Sequence, residues 1–362
     1  SKITIFIFLI DCRSQFFRDM SDAVSESIRH SIGGFVFVFM IGACLSQGRA
    51  QTKSAVSYKN PVVDIAMPDP TVIKAADGYF YVYATESTRN VPIMKSKDLV
   101  EWTYCNTAFT NKTRPRFEPK AGIWAPDINY INGKYVLYYA MSVWGGEQTC
   151  GIGVATANSP QGPFTDHGKM FRSNEIGVQN SIDPSFLQYE GRNYLVWGSF
   201  RGIYVIELTA DGLSIMPGAK KKRIAGTAFE AVYIHKHGDY YYMFASIGSC
   251  CQGVKSTYKV VVGRSKKVWG PYKDKTGKPM LKNGYSLVIG ANDHFVGNGH
   301  GSQIIRDDAG QDWLLYHGFS RSTPENGRIL LLDQIKWDKE GWPYVERESP
   351  SYETQKAPVF NN

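Results

Sequence analysis

The sequence predicts an all-β protein in a single domain, built as a five-bladed β-propeller. Five related units follow one another, and each combines an apolar run, a glycine turn and an alternating aromatic run such as YFYVYAT or YYYMFAS. The turn glycines are Gly78, Gly133, Gly191, Gly238 and Gly310, with separations of 55, 58, 47 and 72 residues. The pattern within each unit is typical of a β-hairpin. A ring of five four-stranded sheets closes on itself and leaves few exposed sheet edges, which favours a propeller.

One polar or charged residue precedes each turn glycine by six to ten positions. These residues are Asp69, Asp127, Asp183, Glu230 and His300. Because the innermost strand of each propeller blade begins beside the central channel, the five side chains should converge on one axis. The sequence therefore predicts a functional site at the mouth of this channel.

The first unit opens with an aspartate between two prolines, in the stretch MPDPTVI from Met67. Proline fixes its own φ angle and has no N–H to offer a sheet ladder. We therefore expect extended backbone at Asp69 and a carboxylate that points to the channel mouth.

The length and composition suit one large folded domain. The chain has 362 residues, of which 14% are aromatic and 20% are charged. The repeat spacing assigns residues 60–347 to the propeller, residues 51–59 to a short linker and residues 348–362 to a C-terminal tail. Because the repeats follow one another without a flexible linker, a second folded domain is not expected.

Residues 1–50 have the pattern of an export leader. Basic residues precede GGFVFVFMIGACL, an apolar run of 13 residues that is too short to span a bilayer as a helix. Two kinds of processing remain open, namely lipidation at Cys44 in a lipobox-like IGAC and ordinary cleavage before Gln51. Met20 is an alternative start of translation. We expect a bacterial protein that is periplasmic, secreted or an outer-membrane lipoprotein.

The net charge of +8 does not indicate a nucleic-acid partner. Basic residues are scattered apart from the run at 220–223, and the aromatic residues lack the spacing of an RNA-binding sheet. The sequence contains no C-x-x-C pair that would indicate a zinc site. The adjacent Cys250 and Cys251 are compatible with a disulfide or with two thiols, and we expect a monomer.

Four of the five converging residues are carboxylates, and three of these, Asp69, Asp183 and Glu230, each begin the inner strand of a different blade and should share one cavity. Like charges that are crowded in a partly desolvated cavity raise the pKa of at least one of them. A carboxylic acid and a carboxylate then coexist at neutral pH, as glycoside hydrolysis requires. In the inverting form of that reaction the two groups stand about 6.5 to 9.5 Å apart.

The sequence resembles glycoside hydrolase family 43, and within it the arabinan-degrading branch. The resemblance covers residues 61–345 and rests on PDPT, WAPD, SIDPSF and FEAVYI, together with GSCCQGVKSTYKVVVGRS, GNGHGS and QIKWDKEGWP. It implies an inverting mechanism in which Asp69 is the general base and Glu230 is the general acid. Asp183 would tune the pKa of Glu230 and orient it.

The same resemblance implies that His300 helps to hold a calcium ion, through water, near the channel centre. The alternative for a histidine between two glycines is a buried core residue. The family pattern gives Asp127 no proton-transfer role, so we expect this residue to be structural.

Four residues are candidates for contact with sugar, three beside the inner-strand starts and one on the second strand of blade five, because sugar rings need flat apolar faces and their hydroxyls need polar partners. They are Trp124, Asn180, Phe200 and His317. For the two bulky aromatic residues, packing between blades is the alternative.

The function that we expect is internal cleavage of α-1,5-linked L-arabinan in plant cell-wall pectic polysaccharide. An exo-acting α-L-arabinofuranosidase or β-xylosidase on the same fold is one alternative. A carbohydrate-binding propeller without catalytic activity is another. The segment PDPT has proline where many arabinanases have histidine before the base. Such departures leave the endo or exo mode open.

Overall fold

The computed structural model describes residues 56–361. The expected leader, with Cys44 and Met20, lies outside these residues. Within the described range the chain consists mainly of strands and turns. A search of these residues finds no helix with the length and apolar character needed to cross a membrane.

Four blades are four-stranded antiparallel sheets whose strands follow one another in sequence. The described chain opens with β1 (Ser57–Tyr58) and β2 (Val63–Ala66). Blade one contains β3 (Thr71–Lys74), β4 (Phe80–Tyr83), β5 (Pro92–Ser96) and β6 (Trp102–Thr107). Blade two contains β7 (Gly122–Ile131), β8 (Lys134–Ser142), β9 (Gly151–Ala157) and β10 (Thr165–Arg172). Blade three contains β11 (Ser185–Tyr189), β12 (Arg192–Trp197), β13 (Ile203–Leu208) and β14 (Lys222–Ala225). Blade four contains β15 (Glu230–His237), β16 (Tyr240–Ile247), β17 (Lys259–Ser265) and β18 (Ser286–Ile289).

The fifth blade combines the two ends of the propeller. Its strands are β19 (Phe295–Gly299), β20 (Ile305–Arg306), β21 (Asp312–Ser320), β22 (Ile329–Trp337) and β23 (Pro343–Tyr344). The N-terminal β2 pairs with β22, with Val63 opposite Leu330 and Ala66 opposite Ile329. The described chain also has one short helix, α1 (Ser173–Ile176), and 3₁₀ turns at Gly253–Lys255, Met280–Lys282, Pro324–Asn326 and Glu346–Glu348. The predicted five-bladed propeller is confirmed.

The glycine turns lie where the repeat predicts them. Asn132 and Gly133 join β7 to β8 with φ angles of 48° and 81°, and Glu190 and Gly191 join β11 to β12 with 49° and 74°. Positive φ at both central residues is the property of the type I′ turn, which matches the right-handed twist of paired strands. Glycine adopts such angles without steric cost because it has no Cβ atom.

The alternating aromatic runs fill the space between neighbouring blades. Tyr138 of blade two stacks on Phe186 of blade three, with ring centroids 5.9 Å apart and planes 11° apart. Trp197 is fully buried and packs on Phe171 at 5.1 Å. Burial of these large rings supplies much of the apolar area that stabilises the ring of blades.

The segment after residue 347 packs against the propeller. The final strand, β24 (Gln355–Lys356), pairs with β1. Phe360 contacts Phe80 of blade one, with ring centroids 4.7 Å apart. This segment therefore covers the junction where the first and last blades meet.

Candidate active site

The three predicted carboxylates line a single cleft of about 860 Å³. Asp69 lies just before β3, Asp183 just before β11, and Glu230 is the first residue of β15. All three are buried, with relative exposures of 8%, 7% and 7%. The fold thus brings together residues that the repeat pattern singles out.

The backbone at Asp69 is left-handed, with φ of 53°, so the expected extended conformation is wrong. The reason lies in a hydrogen bond, because the N–H of Asp69 donates to Nδ1 of His317 at 3.0 Å. Asp183 and His300 share this conformation, with φ of 56° and 51°. Left-handed backbone in residues other than glycine costs about 1–3 kcal/mol and concentrates at functional sites.

Cationic groups surround the carboxylate of Asp69. Nη1 of Arg328 donates to Oδ1 at 2.7 Å, and Nδ1 of His300 lies 3.2 Å from the same atom. Burial pushes the pKa of Asp69 upward, but Arg328 and His300 outweigh it and hold this pKa well below its usual range. Burial also acts to lower the pKa of His300, yet the charge of Asp69 raises it. Asp69 is therefore ionised at neutral pH, as a general base must be.

His317 supports Asp69 from behind the cleft. Its Nδ1 accepts the backbone N–H of Asp69, so that nitrogen carries no proton. Burial lowers the pKa of His317 to about 4, so its approach of 3.3 Å to Oδ1 of Asp69 is not an ion pair at neutral pH. The side chain is fully buried and is not among the residues that line the cleft. Its position thus suits support of Asp69 better than contact with sugar.

Glu230 and Asp183 form a pair with raised proton affinity. Tyr258 Oη donates to Oε1 of Glu230 at 2.5 Å, and Ser199 Oγ donates to Oε2 at 2.6 Å. Burial raises the pKa of Glu230 against the effect of these two donors. Burial and the charge of Glu230 raise the pKa of Asp183 to about 8. Because the two groups interact, the proton retained at neutral pH belongs to the pair.

Three of the sugar-contact candidates line the cleft, namely Trp124, Asn180 and Phe200. Asn180 donates from Nδ2 to Ser199 Oγ at 2.9 Å, which extends the hydrogen-bond chain that ends at Glu230. Trp124 lies against Trp144 at 5.5 Å, and Trp144 is 78% exposed. The cleft therefore has an aromatic wall that continues outward from the carboxylates.

Two further contacts shape the cleft rim. Cys250 and Cys251, which line the cleft, are joined as a disulfide, so the structure selects one of the two sequence alternatives. Arg201 forms an ion pair with Glu147 at 2.8 Å, and Glu147 also lines the cleft. This ion pair connects the loop that follows β8 with the loop that follows β12.

A small cavity of about 20 Å³ lies beside the cleft, lined by Asp127, Asp183, His300 and Gln303 among others. Asp127 accepts the backbone N–H of Phe186 at 2.7 Å and Nε2 of Gln303 at 2.8 Å, so it ties the start of blade three to blade five. Burial raises the pKa of Asp127 to about 7. Carboxylate oxygens are donors that calcium prefers, and the carboxylates of Asp127 and Asp183 both line this cavity. The residues present therefore fit a hard cation.

A second group of ligand-type side chains lies elsewhere in the described chain. Ligand atoms of His235, His237 and Asp312 all lie within 4.8 Å of one another. This metal-compatible cluster does not include His300, the residue expected to face a metal ion.

Three residues of the site were not predicted from the sequence, namely Arg328, Ser199 and Tyr258. Ser199 and Tyr258 fall inside the motifs WGSF and KSTYKV, but their hydroxyls have no repeat counterpart that marks them. Arg328 stands between the 3₁₀ turn Pro324–Asn326 and β22, where no pattern in the sequence signals a functional residue.

The sequence profile of the glycosyl hydrolases of family 43 matches residues 58–343. The chain belongs to this family. Among curated relatives of this family 43 protein is an extracellular exo-α-(1→5)-L-arabinofuranosidase, ArbA, of Cellvibrio japonicus. It is 36% identical over 318 residues, which cover 80% of this chain and 89% of the relative. An extracellular endo-α-(1→5)-L-arabinanase of Bacillus subtilis is 36% identical over 290 residues, which cover 76% and 86%.

Solved structures of arabinanases resemble this family 43 protein in fold. The α-L-arabinanase of Cellvibrio cellulosa complexed with arabinohexaose superposes with a TM-score of 0.71 and 34% identity, covering 78% of this chain and 96% of the other. The family 43 endo-arabinanase of Bacillus licheniformis gives a TM-score of 0.68 and 32% identity, covering 80% and 100%.

Proposed function

We propose that this family 43 protein hydrolyses α-1,5-linked L-arabinan internally and inverts the configuration at the anomeric carbon. One observation carries the proposal, namely that a single cleft holds carboxylates with opposite proton affinities. Arg328 and His300 hold the pKa of Asp69 low against burial, whereas burial raises the pKa values of Asp183 and Glu230. Such a division provides a base and an acid at the same pH.

In this mechanism Asp69 accepts a proton from water as the water oxygen bonds to the anomeric carbon. Glu230 gives its proton to the departing glycosidic oxygen, and the bond between that oxygen and the anomeric carbon breaks. Ser199 and Tyr258 stabilise the Glu230 carboxylate that results, because both hydroxyls donate to it. Asp183 keeps a proton available to the pair through the raised pKa that the two carboxyls share.

Arabinan as the substrate is supported by two findings. Two relatives that are each 36% identical carry names that specify α-(1→5)-L-arabinan chemistry. The cleft also offers Trp124 and the exposed Trp144 as apolar faces for sugar rings beyond the carboxylates.

Exo-acting release of arabinofuranose or xylose is the second candidate. The exo-acting relative and the endo-acting relative have the same identity to this chain, so identity does not favour either mode. The size of the cleft, about 860 Å³, and its aromatic wall favour a polymer over a single terminal sugar. The third candidate is a carbohydrate-binding propeller without catalytic activity. Such a protein is expected to lack at least one of the three carboxylates, and all three are present here.

A calcium ion is proposed beside His300. Asp127 and Asp183 would hold it with their carboxylate oxygens, and His300 would act through water because imidazole is a poor calcium ligand. When bound, the ion would supply positive charge that favours the ionised forms of the nearby carboxyls. Dialysis against EDTA should lower the melting temperature, and added calcium should restore it. A melting temperature that stays unchanged by both treatments contradicts the ion.

We also propose that the protein is exported and monomeric. Two relatives are named as extracellular, which supports export. The exported protein would be secreted, periplasmic or lipid-anchored. The partner would be plant cell-wall arabinan in pectic side chains, and the enzyme would act as a monomer without binding nucleic acid.

The decisive experiment is product sizing over time with linear debranched arabinan, xylan and an aryl arabinofuranoside as separate substrates. Endo action should release a spread of arabino-oligosaccharides early in the reaction. If only monosaccharide appears, the exo-acting candidate replaces the proposal. Nuclear magnetic resonance of the first product should show the anomer opposite to that of the substrate.

An Asp69→Asn variant tests the base. Hydrolysis should fall by about 10²–10⁴-fold, the usual worth of general acid–base catalysis. Asp64→Asn is the matched control, because the side chain of Asp64 is exposed and accepts a hydrogen bond from Asn326 at the surface. Normal turnover by the Asp69 variant would exclude this residue as the base.

A further inference from the structure

The metal-compatible cluster defined above lies at the far end of the strand that carries Glu230. Strand β15 begins at Glu230 and ends at His237. At about 3.3 Å per residue, seven residues separate the two positions by roughly 23 Å. His235 and His237 are two positions apart on this strand, so their side chains lie on the same face. The cluster is therefore distinct from the catalytic cleft and independent of the proposed function.

The third member comes from the neighbouring blade. Asp312 is the first residue of β21 in blade five and is 2% exposed. Nδ1 of His237 lies 3.8 Å from Oδ2 of Asp312, and the ligand atoms of all three residues are within 4.8 Å. A tetrahedral zinc ion with bonds of about 2.0–2.1 Å needs its ligand atoms about 3.3 Å apart. Side-chain rotations that move the donors by about an ångström would close this gap.

Trp337 holds the two imidazoles in place. The ring of His237 stacks on Trp337 with centroids 3.7 Å apart and planes 5° apart. The ring of His235 lies nearly parallel to the same indole, at 6.1 Å and 23°. Nε1 of Trp337 also donates to Oδ2 of Asp312 at 2.7 Å. Such outer contacts to metal ligands orient them and tune their affinity.

We propose that His235, His237 and Asp312 bind a divalent late transition metal, such as zinc or copper(II), and thereby link blades four and five. Two imidazoles and one carboxylate match the ligand preference of these ions and not that of calcium.

Arg306 is the internal competitor for the metal. Its Nε and Nη2 donate to the two oxygens of Asp312, each at 2.9 Å. The side chain of Arg306 is 57% exposed, so it can turn into solvent when a metal replaces it. An ion pair at the surface is worth about 0.2–1 kcal/mol, so removal of Arg306 should tighten metal binding by about 1.4- to fivefold.

The test is a zinc titration of tag-free protein by calorimetry, with bound metal counted after dialysis. The wild type should bind one zinc equivalent that His235→Asn/His237→Asn loses. His294→Asn is the matched control, because His294 also stacks on an aromatic ring, Tyr352 at 4.0 Å, but lies outside the cluster. Arg306→Gln should bind zinc more tightly. If the double variant keeps the full equivalent, or if Arg306→Gln binds no more tightly, the assignment is wrong.

A second measurement covers the case in which the double variant does not fold. One equivalent of copper(II) added to the wild type should give an electron paramagnetic resonance spectrum with hyperfine coupling to imidazole nitrogens. The signal should persist in His294→Asn and in an Asp69→Asn variant, whose change lies in the cleft. A spectrum without nitrogen coupling, or one that Asp69→Asn abolishes, would place the metal elsewhere and overturn the proposal.

Discussion

Arg328 controls the protonation of Asp69. Its guanidinium lies 2.7 Å from the carboxylate and is the largest influence that lowers the pKa of Asp69 against burial. An Arg328→Gln substitution should therefore raise this pKa. Because the base works only when ionised, kcat/KM should begin to fall at a higher pH as the solution is acidified. A pH profile of kcat/KM measures this shift of the acidic limb.

Arg321→Gln is the matched control for this change. Arg321 donates from Nε to the carbonyl of Asn292, is exposed and does not line the cleft. Its profile should coincide with that of the wild type. If Arg328→Gln lowers activity equally at every pH, Arg328 positions substrate and does not set the pKa of Asp69.

Tyr258 stabilises the charged form of Glu230. Its hydroxyl donates to Oε1 at 2.5 Å, and a hydrogen bond to a charged group is worth about 1.5–3 kcal/mol. In Tyr258→Phe the carboxylate loses this donor, so the pKa of Glu230 should rise and the alkaline limb of kcat should move to higher pH. At the optimum, kcat should fall about tenfold, because the leaving step forms that carboxylate.

Tyr285→Phe controls for the loss of a phenol. Tyr285 is 42% exposed and meets the edge of Phe229 at 6.4 Å, so its pH profile should match the wild type. An alkaline limb of Tyr258→Phe that moves to lower pH would contradict the stabilising role.

At this scale the sequence could predict the acids but not the groups that tune them. Asp69, Asp183 and Glu230 occupy the same position in repeated units, so their convergence follows from the repeat. Arg328 reaches Asp69 across 259 residues of chain, from a loop without a repeat counterpart. Its contact with Asp69 forms only when the ring of blades closes, so the sequence does not distinguish this arginine from a surface residue.

Strand β19 depends on a glycine where it passes Tyr258. A Cβ atom built on Gly299 would lie 2.2 Å from Cδ1 and 2.5 Å from Cε1 of that fully buried ring. Gly299→Ala should therefore displace Tyr258 from Glu230 and destabilise the fold by about 1–3 kcal/mol, as overpacking does. Denaturant unfolding measures the stability, and kcat should fall together with it.

Gly290→Ala, in the segment between β18 and β19, is the comparison for this change. Its added Cβ would meet no atom closer than 3.5 Å, which is ordinary contact. The free energy of unfolding should stay within about 0.5 kcal/mol of the wild-type value. Equal destabilisation by both variants would contradict the view that the space beside Tyr258 is what requires glycine at position 299.

The hairpins could be predicted because their signals are local. A glycine with positive φ and the flanking aromatic alternation lie within one stretch of about 20 residues. The pairing of β2 with β22 carries no such signal, since Val63 and Leu330 are far apart in sequence and β2 has only four residues. Ring closure is a property of the whole array and cannot be inferred from one unit.

At the scale of the whole molecule, Asn60 joins the first and last segments of the described residues to the fifth blade. Its Oδ1 accepts the N–H of Leu332 at 2.9 Å, and its Nδ2 donates to the carbonyl of the same residue at 3.0 Å. Nδ2 also lies 3.0 Å from Oγ of Ser351, in the segment that covers the junction. Asn60 is only 5% exposed. If its side chain were removed, water could not easily reach the backbone groups of Leu332 to form hydrogen bonds in its place.

Asn60→Ala should therefore weaken ring closure. A buried donor or acceptor that loses its partner costs about 1–3 kcal/mol, which corresponds to a fall in melting temperature of roughly 2–5 °C for a domain of this size. Asn326→Ala removes an exposed bond to Asp64 near the same junction and should change the melting temperature little. Calorimetry of both variants decides the matter. If they melt together, closure rests on the pairing of β2 with β22 and on apolar packing such as Phe360 on Phe80, and the Asn60 network adds nothing measurable.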